Sequence, residues 1–100
     1  MIKHIVMWKL KDFAEETNKT GNAVKIKELL ESLKGKIPEI KHIEVGIDIS
    51  RADSSSDVVL YSEFDCLEDL DAYQKHPEHM NIVQFVKEVC VERRVADYEM

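Results

Sequence analysis

Apolar and polar residues alternate from the start of the chain. Between Ile2 and Leu10, His4, Val6, Trp8 and Leu10 fall on one side of an extended strand, with Lys3, Ile5, Met7 and Lys9 on the other. Both sides carry apolar residues, so the strand is expected to be covered on both sides at its centre. Lys11 and Asp12 end it. Residues 13 to 22 are mostly polar and are expected to form a loop or a frayed helical turn, because Gly21-Asn22 weakens a helix locally. From Ala23 to Lys36 the period becomes helical. Val24, Ile26, Leu29, Leu30, Leu33 and then Ile37 form one stripe, and Lys25, Lys27, Glu28, Glu31 and Lys34 lie mostly opposite. Gly35 and Pro38 supply the stop.

Alternation returns between Lys41 and Ser50, where Ile43, Val45, Ile47 and Ile49 oppose His42, Glu44, Gly46 and Asp48. His42 is therefore expected in solvent. The polar stretch Arg51 to Ser56 reads as a hairpin loop, followed by a third strand from Asp57 to Asp65. Asp65 is placed to cap a helix starting near Cys66, with Leu67, Leu70 and Tyr73 inward. Pro77 disfavours helical geometry at His76 and removes a backbone donor, so the helix must break there. A second helix is predicted to start at or just after Pro77 and run to about Val89. Its inward residues are predicted to be Met80, Val83 and Val86, joined by Ile82 and Val89. Val91 to Tyr98 closes the chain as a strand.

The order β-α-β-β-α(broken)-β, with right-handed crossovers, predicts an α+β ferredoxin-like fold. Its sheet has four antiparallel strands and both helices on one face. The other face would then leave Ile5, Met7 and half of strands two and three in water. A second copy packed sheet on sheet covers that patch, so a homodimer through the sheet face is expected.

Composition narrows the remaining classes. A hundred residues, 44% hydrophobic and 34% charged, fit one globular domain spanning 1–100. The formal net charge of −6, without a Lys/Arg cluster, argues against nucleic acid. No apolar run is long enough for a membrane helix, and the N-terminus lacks the features of a signal peptide, so a cytoplasmic protein off the membrane is expected. Cys66 and Cys90 form no CxxC pair and read as small half-buried hydrophobes.

Candidate chemistry gathers at Tyr73-Gln74-Lys75-His76-Pro77-Glu78-His79, a phenol and two imidazoles around a forced turn, with His4 on the first strand. If Pro77 is the first helical residue, His79 sits in the first turn. The helix's positive end keeps its imidazole neutral there, as a general base requires. Tyr73 can polarise a carbonyl, and His4 can complete the polar end of an apolar pocket. The same residues also have structural readings: Tyr73 as core with its hydroxyl at the edge, His76 as a cap, His4 as a half-buried strand histidine. His76 and His79 stand three apart, as two metal ligands can, but Pro77 separates them, and neither a metal nor a cofactor is expected.

The segments His4 to Asp12, Ile37-Pro38 followed by Val45-Gly46, and Tyr73 to His79 resemble the stress-responsive dimeric α/β barrel (Dabb) family over almost the whole chain. The resemblance implies that two ferredoxin-like protomers close their sheets into a barrel. Most members have no assigned activity. One plant member is an olivetolic acid cyclase, whose catalytic tyrosine and histidine match Tyr73 and His79 and whose pocket histidine matches His4. A further pocket histidine of that enzyme falls near Asp57 here. The reading is a homodimeric barrel protein of unassigned activity. Its rival is a small-molecule-binding or polyketide-cyclase-like enzyme, a cofactor-independent lyase or cyclase. It would take an apolar small molecule and use His79 as general base with Tyr73 and His4.

Overall fold

The N-terminal alternation becomes β1 (Ile2–Leu10), an inner strand of the sheet, in the computed structural model, which describes residues 1–100. After it come a small hairpin of β2 (Phe13–Ala14) and β3 (Thr17–Asn18), the helix α1 (Lys19–Glu31) and a 3-10 turn at Ser32–Gly35. The strands β4 (His42–Ile47) and β5 (Val58–Phe64), the helices α2 (Leu67–Lys75) and α3 (Pro77–Val89), and the strand β6 (Cys90–Glu99) complete the chain. The main sheet runs β4-β5-β1-β6 with every neighbour antiparallel, which is the ferredoxin-like α+β fold.

One side of the sheet is the core. Ile2, Val6, Trp8 and Leu10 of β1, with Val58, Leu60 and Phe64 of β5, pack against Ile26, Leu30 and Leu33 below α1 and against Leu70, Ile82 and Val86 of the later helices. Ile26, Leu33 and Ile37 are completely buried, and each contributes about 1.5–3 kcal/mol by leaving water. Within one copy only this side is covered. On the opposite face Ile5 stands between Tyr61 and Ala96, and Met7 between Val59 and Arg94. Met7 remains 43% exposed.

Several expectations are corrected. Helix α1 begins at Lys19, four residues before Ala23, because Asn18 caps it by accepting from the Gly21 N–H at 2.9 Å. Gly21 belongs inside the helix for a steric reason: a Cβ there would meet Thr17 Oγ1 at 2.4 Å. Asn22 is buried and donates to the Ala14 carbonyl at 2.9 Å, tying the helix to the β2–β3 hairpin. The helix itself ends at Glu31, and the tighter 3-10 turn carries Leu33 into the core. Val24 and Leu67 turn outward, and Ile49 lies beyond the end of β4 in solvent. The N-cap of α2 is Cys66, without a side-chain bond; Asp65 faces Lys41 at 3.6 Å instead. Along α3 the buried stripe is Ile82, Val86 and Val89, and Met80 is 53% exposed because it overhangs a cavity and not the sheet.

Candidate functional site

The break between α2 and α3 builds the site from backbone bookkeeping. Pro77 has no N–H to offer the Tyr73 carbonyl, which accepts from the His76 N–H at 3.2 Å. In a continuous helix the Gln74 carbonyl would accept from the Glu78 N–H. That N–H instead donates to His76 Nδ1 at 3.1 Å, making His76 the N-cap of α3. The freed Gln74 carbonyl accepts from the ring of His79, Nδ1 to oxygen 3.0 Å. The proton on Nδ1 leaves His79 Nε2 as a lone-pair nitrogen with no protein partner. Pro77 thus sets the tautomer of His79 two residues away.

Tyr73 lies in the last turn of α2 and His79 in the first turn of α3, so the break stacks them, with ring centroids 4.5 Å apart. Tyr73 is wholly buried against Phe64 at 5.0 Å, yet its hydroxyl has no hydrogen-bond partner. Burial pushes the phenol's pKa up, so it stays a donor. His4 is buried on the helix side of β1 with its ring 6.2 Å from that of Tyr73. The β1–β6 register sets His4 opposite Asp97, and Nδ1 meets Asp97 Oδ1 at 2.5 Å. That carboxylate fixes the ring and holds the Nδ1 proton. The structure therefore brings together all three predicted residues, His4, Tyr73 and His79, and adds Asp97, which the sequence reading did not single out.

His4, Tyr73 and His79 form the polar end of a cavity of about 570 Å³ between α3 and the sheet, reaching the exposed edge strand β6; Asp97 stands behind His4 and does not line it. Its walls are mainly apolar, with Val6, Leu60, Ile82 and Val86 among them. Trp8 and Met80 line this space without filling it, and Phe85 lies outside it, beneath Lys25 Nζ at 4.4 Å. Burial lowers the pKa of His79 from 6.5; the Gln74 carbonyl opposes that, and His4 and Arg93 add to it. His79 is therefore a neutral base at physiological pH. Cys90 also lines the cavity, but burial pushes its thiol up to about 11, which keeps it protonated.

The other polar candidates have local duties. His76 Nδ1 is committed to the backbone, and no group of three or more His, Cys, Asp and Glu side chains converges as a metal site would require. His42 is exposed and bonds Glu44 at 2.7 Å. Asp57 accepts from the Leu10 N–H at 2.8 Å and lines a separate, charged cavity of about 500 Å³ near the β4–β5 loop. That cavity contains none of the candidate residues. No helix is long and apolar enough to cross a membrane.

A neutral imidazole beside a protonated, unpartnered phenol in an apolar space can remove a proton next to a carbonyl and hold the resulting oxyanion. Comparisons with known proteins place the chain in a family. The family model described as the stress responsive A/B barrel domain matches residues 2–100. No curated protein matches the sequence. Among solved structures, a dimeric protein of unknown function with a ferredoxin-like fold from Bacteroides fragilis is 37% identical. The match covers 99% of this chain and 95% of that one, with a TM-score of 0.88. A dimeric ferredoxin-like protein of unknown function from Thermobifida fusca is 23% identical over 99% and 90%, with a TM-score of 0.84. A hydroxynitrile lyase from Passiflora edulis is 20% identical over 97% and 90%, with a TM-score of 0.78, and shares the fold.

Proposed function

The chain belongs to the stress responsive A/B barrel domain family, and we propose that its cavity is a small-molecule site for cofactor-independent enolisation of an apolar carbonyl compound. The observation that carries this reading is the Tyr73 hydroxyl, buried without a partner, on a ring stacked 4.5 Å from that of His79, whose Nε2 is free. A buried, unpaired hydroxyl costs about 1–3 kcal/mol, and a ligand's carbonyl oxygen offsets that cost.

In this reaction His79 Nε2 takes the α-proton. The C–H electron pair forms a carbon–carbon double bond, and the carbonyl oxygen becomes an enolate that accepts the Tyr73 hydrogen bond. His4, oriented by Asp97, lines the same polar end. With a second carbonyl in the same molecule, the enolate carbon bonds that carbonyl carbon, and the imidazolium returns its proton to the new alkoxide. No atom is lost and no electron acceptor is needed, so the activity is that of a lyase or cyclase. A protein of the same fold, from Passiflora edulis, is described as a hydroxynitrile lyase.

The working unit in this proposal is a homodimer joined through the open sheet face. Ile5, Met7, Val59 and Tyr61 give that face an apolar centre. Three proteins of similar structure are described as dimeric.

The direct test is deuterium exchange at the α-carbons of methyl octyl ketone in D2O, followed by NMR. The native protein should accelerate exchange over buffer, and His79→Ala should not. Exchange at the buffer rate with native protein would contradict the enolisation reading.

A further inference from the structure

The cavity has a second polar element at the end away from Tyr73, and its charge is opposite to that of the molecule. The chain carries a formal net charge of −6, yet Lys87 and Arg93 both line this cavity and neither makes an ion pair or a side-chain hydrogen bond. Two acidic groups of the same strand are engaged elsewhere. Glu92 lies 3.8 Å from Arg94, and Asp97 holds His4 at 2.5 Å.

Placement follows from register. On β6 the partners of Trp8, Val6 and His4 are Arg93, Val95 and Asp97, so Arg93 and Asp97 share the helix side of the sheet. They are four residue steps apart, about 13 Å along the edge. A ligand whose carbonyl sits at Tyr73 and His79 can therefore extend over the apolar walls by Trp8 and Val86 and end at Arg93. Arg93 is exposed, so its guanidinium needs no costly desolvation before a ligand arrives. A planar fork of N–H donors at the mouth of an apolar cavity matches a carboxylate in geometry as well as charge.

The geometry points to a substrate class: an apolar carbonyl compound that ends in a carboxylate, its carbonyl at Tyr73 and His79 and its carboxylate at Arg93, with Lys87 adding positive potential. This rests on the enolisation site proposed above and adds the polarity of the ligand's far end. Lys87 also stands in the last turn of α3, where a cation suits the helix's carbonyl end. Arg93 is therefore the sharper probe.

The test uses two ketones of equal length: methyl octyl ketone, and the same ketone with its terminal methyl replaced by a carboxylate. Trp8 is the only tryptophan and lines the cavity, so its fluorescence reports binding of either. The keto acid should bind the native protein about tenfold more tightly than the neutral ketone. The advantage should shrink as salt is raised. Arg93→Ala should erase most of it, so that the variant binds the keto acid little more tightly than the neutral ketone, and Arg93→Lys should restore part. Equal binding of the two ketones, or a preference that survives Arg93→Ala combined with Lys87→Ala, would overturn the inference and leave Arg93 as a charge guarding a sheet edge. Binding of neither ketone would overturn the cavity reading together with it.

Discussion

Two tyrosines on opposite sides of one sheet show how differently this fold treats a phenol. Tyr61 points to the open face. It accepts from Lys3 Nζ at 2.9 Å and donates to Glu63, and Lys3 and Glu63 pair at 2.6 Å. Each member of that trio has a partner, and the hydrogen bonds from Lys3 and then Tyr61 lower the pKa of Glu63. Tyr73 stands on the helix side, on α2, and is more deeply buried, yet its hydroxyl has nothing to bond. Chains avoid leaving a buried hydroxyl unpaired, because the desolvation cost is not recovered. The fold pairs the phenol on its open face and leaves the phenol on its helix side unpaired, in the wall of a cavity that also takes in the neutral imidazole of His79.

The largest break in this comparison is expected on the open face. Ile5→Asp places a charge at the centre of the surface proposed to join two copies. Light scattering should then show a monomeric mass against a dimeric one for the native chain. A native chain that is already monomeric at micromolar concentration would remove the dimer from the account.

On the helix side, His79→Ala should slow α-proton exchange by about 10²–10⁴-fold, the usual contribution of a placed general base. The pH dependence has a definite sign. Burial puts the folded pKa of His79 below 6.5. The exchange rate should therefore fall on acidification with its midpoint below pH 6.5. Between the lowered value and 6.5 the unfolded chain binds more protons at this residue than the folded one, so stability should rise with pH across that window. His79→Ala should flatten that part of the stability profile.

Asp97→Asn should have a smaller effect. It weakens a charge-assisted bond to His4 and frees the ring, which should lower exchange by about tenfold while leaving the fold intact. The NMR signal of the His4 ring should move as well, a change that a remote loss of stability would not produce. Tyr61→Phe should change least: exchange stays at the native rate, and stability falls slightly as Lys3 and Glu63 lose one partner.

Much of this molecule is legible in its residues. Alternation marks β1, β4 and β5, and the helical period marks α1. Pro77 announces the break, and the spacing of Tyr73, His76 and His79 around it points to the site, because those contacts are local. Two features are not legible, for different physical reasons. The β2–β3 turn uses Glu15 and Glu16 at φ 50° and 67°, a conformation usually given to glycine or asparagine, so no turn signal shows. The His4–Asp97 pair joins residues 93 apart in sequence. Only the antiparallel register of β1 with β6 brings them together. That register follows from the fold once His4 and Asp97 are both placed on the helix side, and it is the signal by which Asp97 could have been found. The outward turn of Met80 was equally hidden, since helical spacing shows which residues share a face but not that an empty space lies beneath them.

The most direct test of the central claim is the thermal unfolding midpoint of Tyr73→Phe, measured with and without methyl octyl ketone. If the hydroxyl is kept for a ligand, its removal relieves an unpaired buried group. The free variant should be as stable as the native protein or more so, by up to about 1–3 kcal/mol. Methyl octyl ketone should then raise the native midpoint more than the variant's, since only the native protein offers the carbonyl a donor. A variant that unfolds at a lower temperature, or one that the ketone stabilises as much as the native chain, would contradict the claim and make Tyr73 a core residue like Phe64.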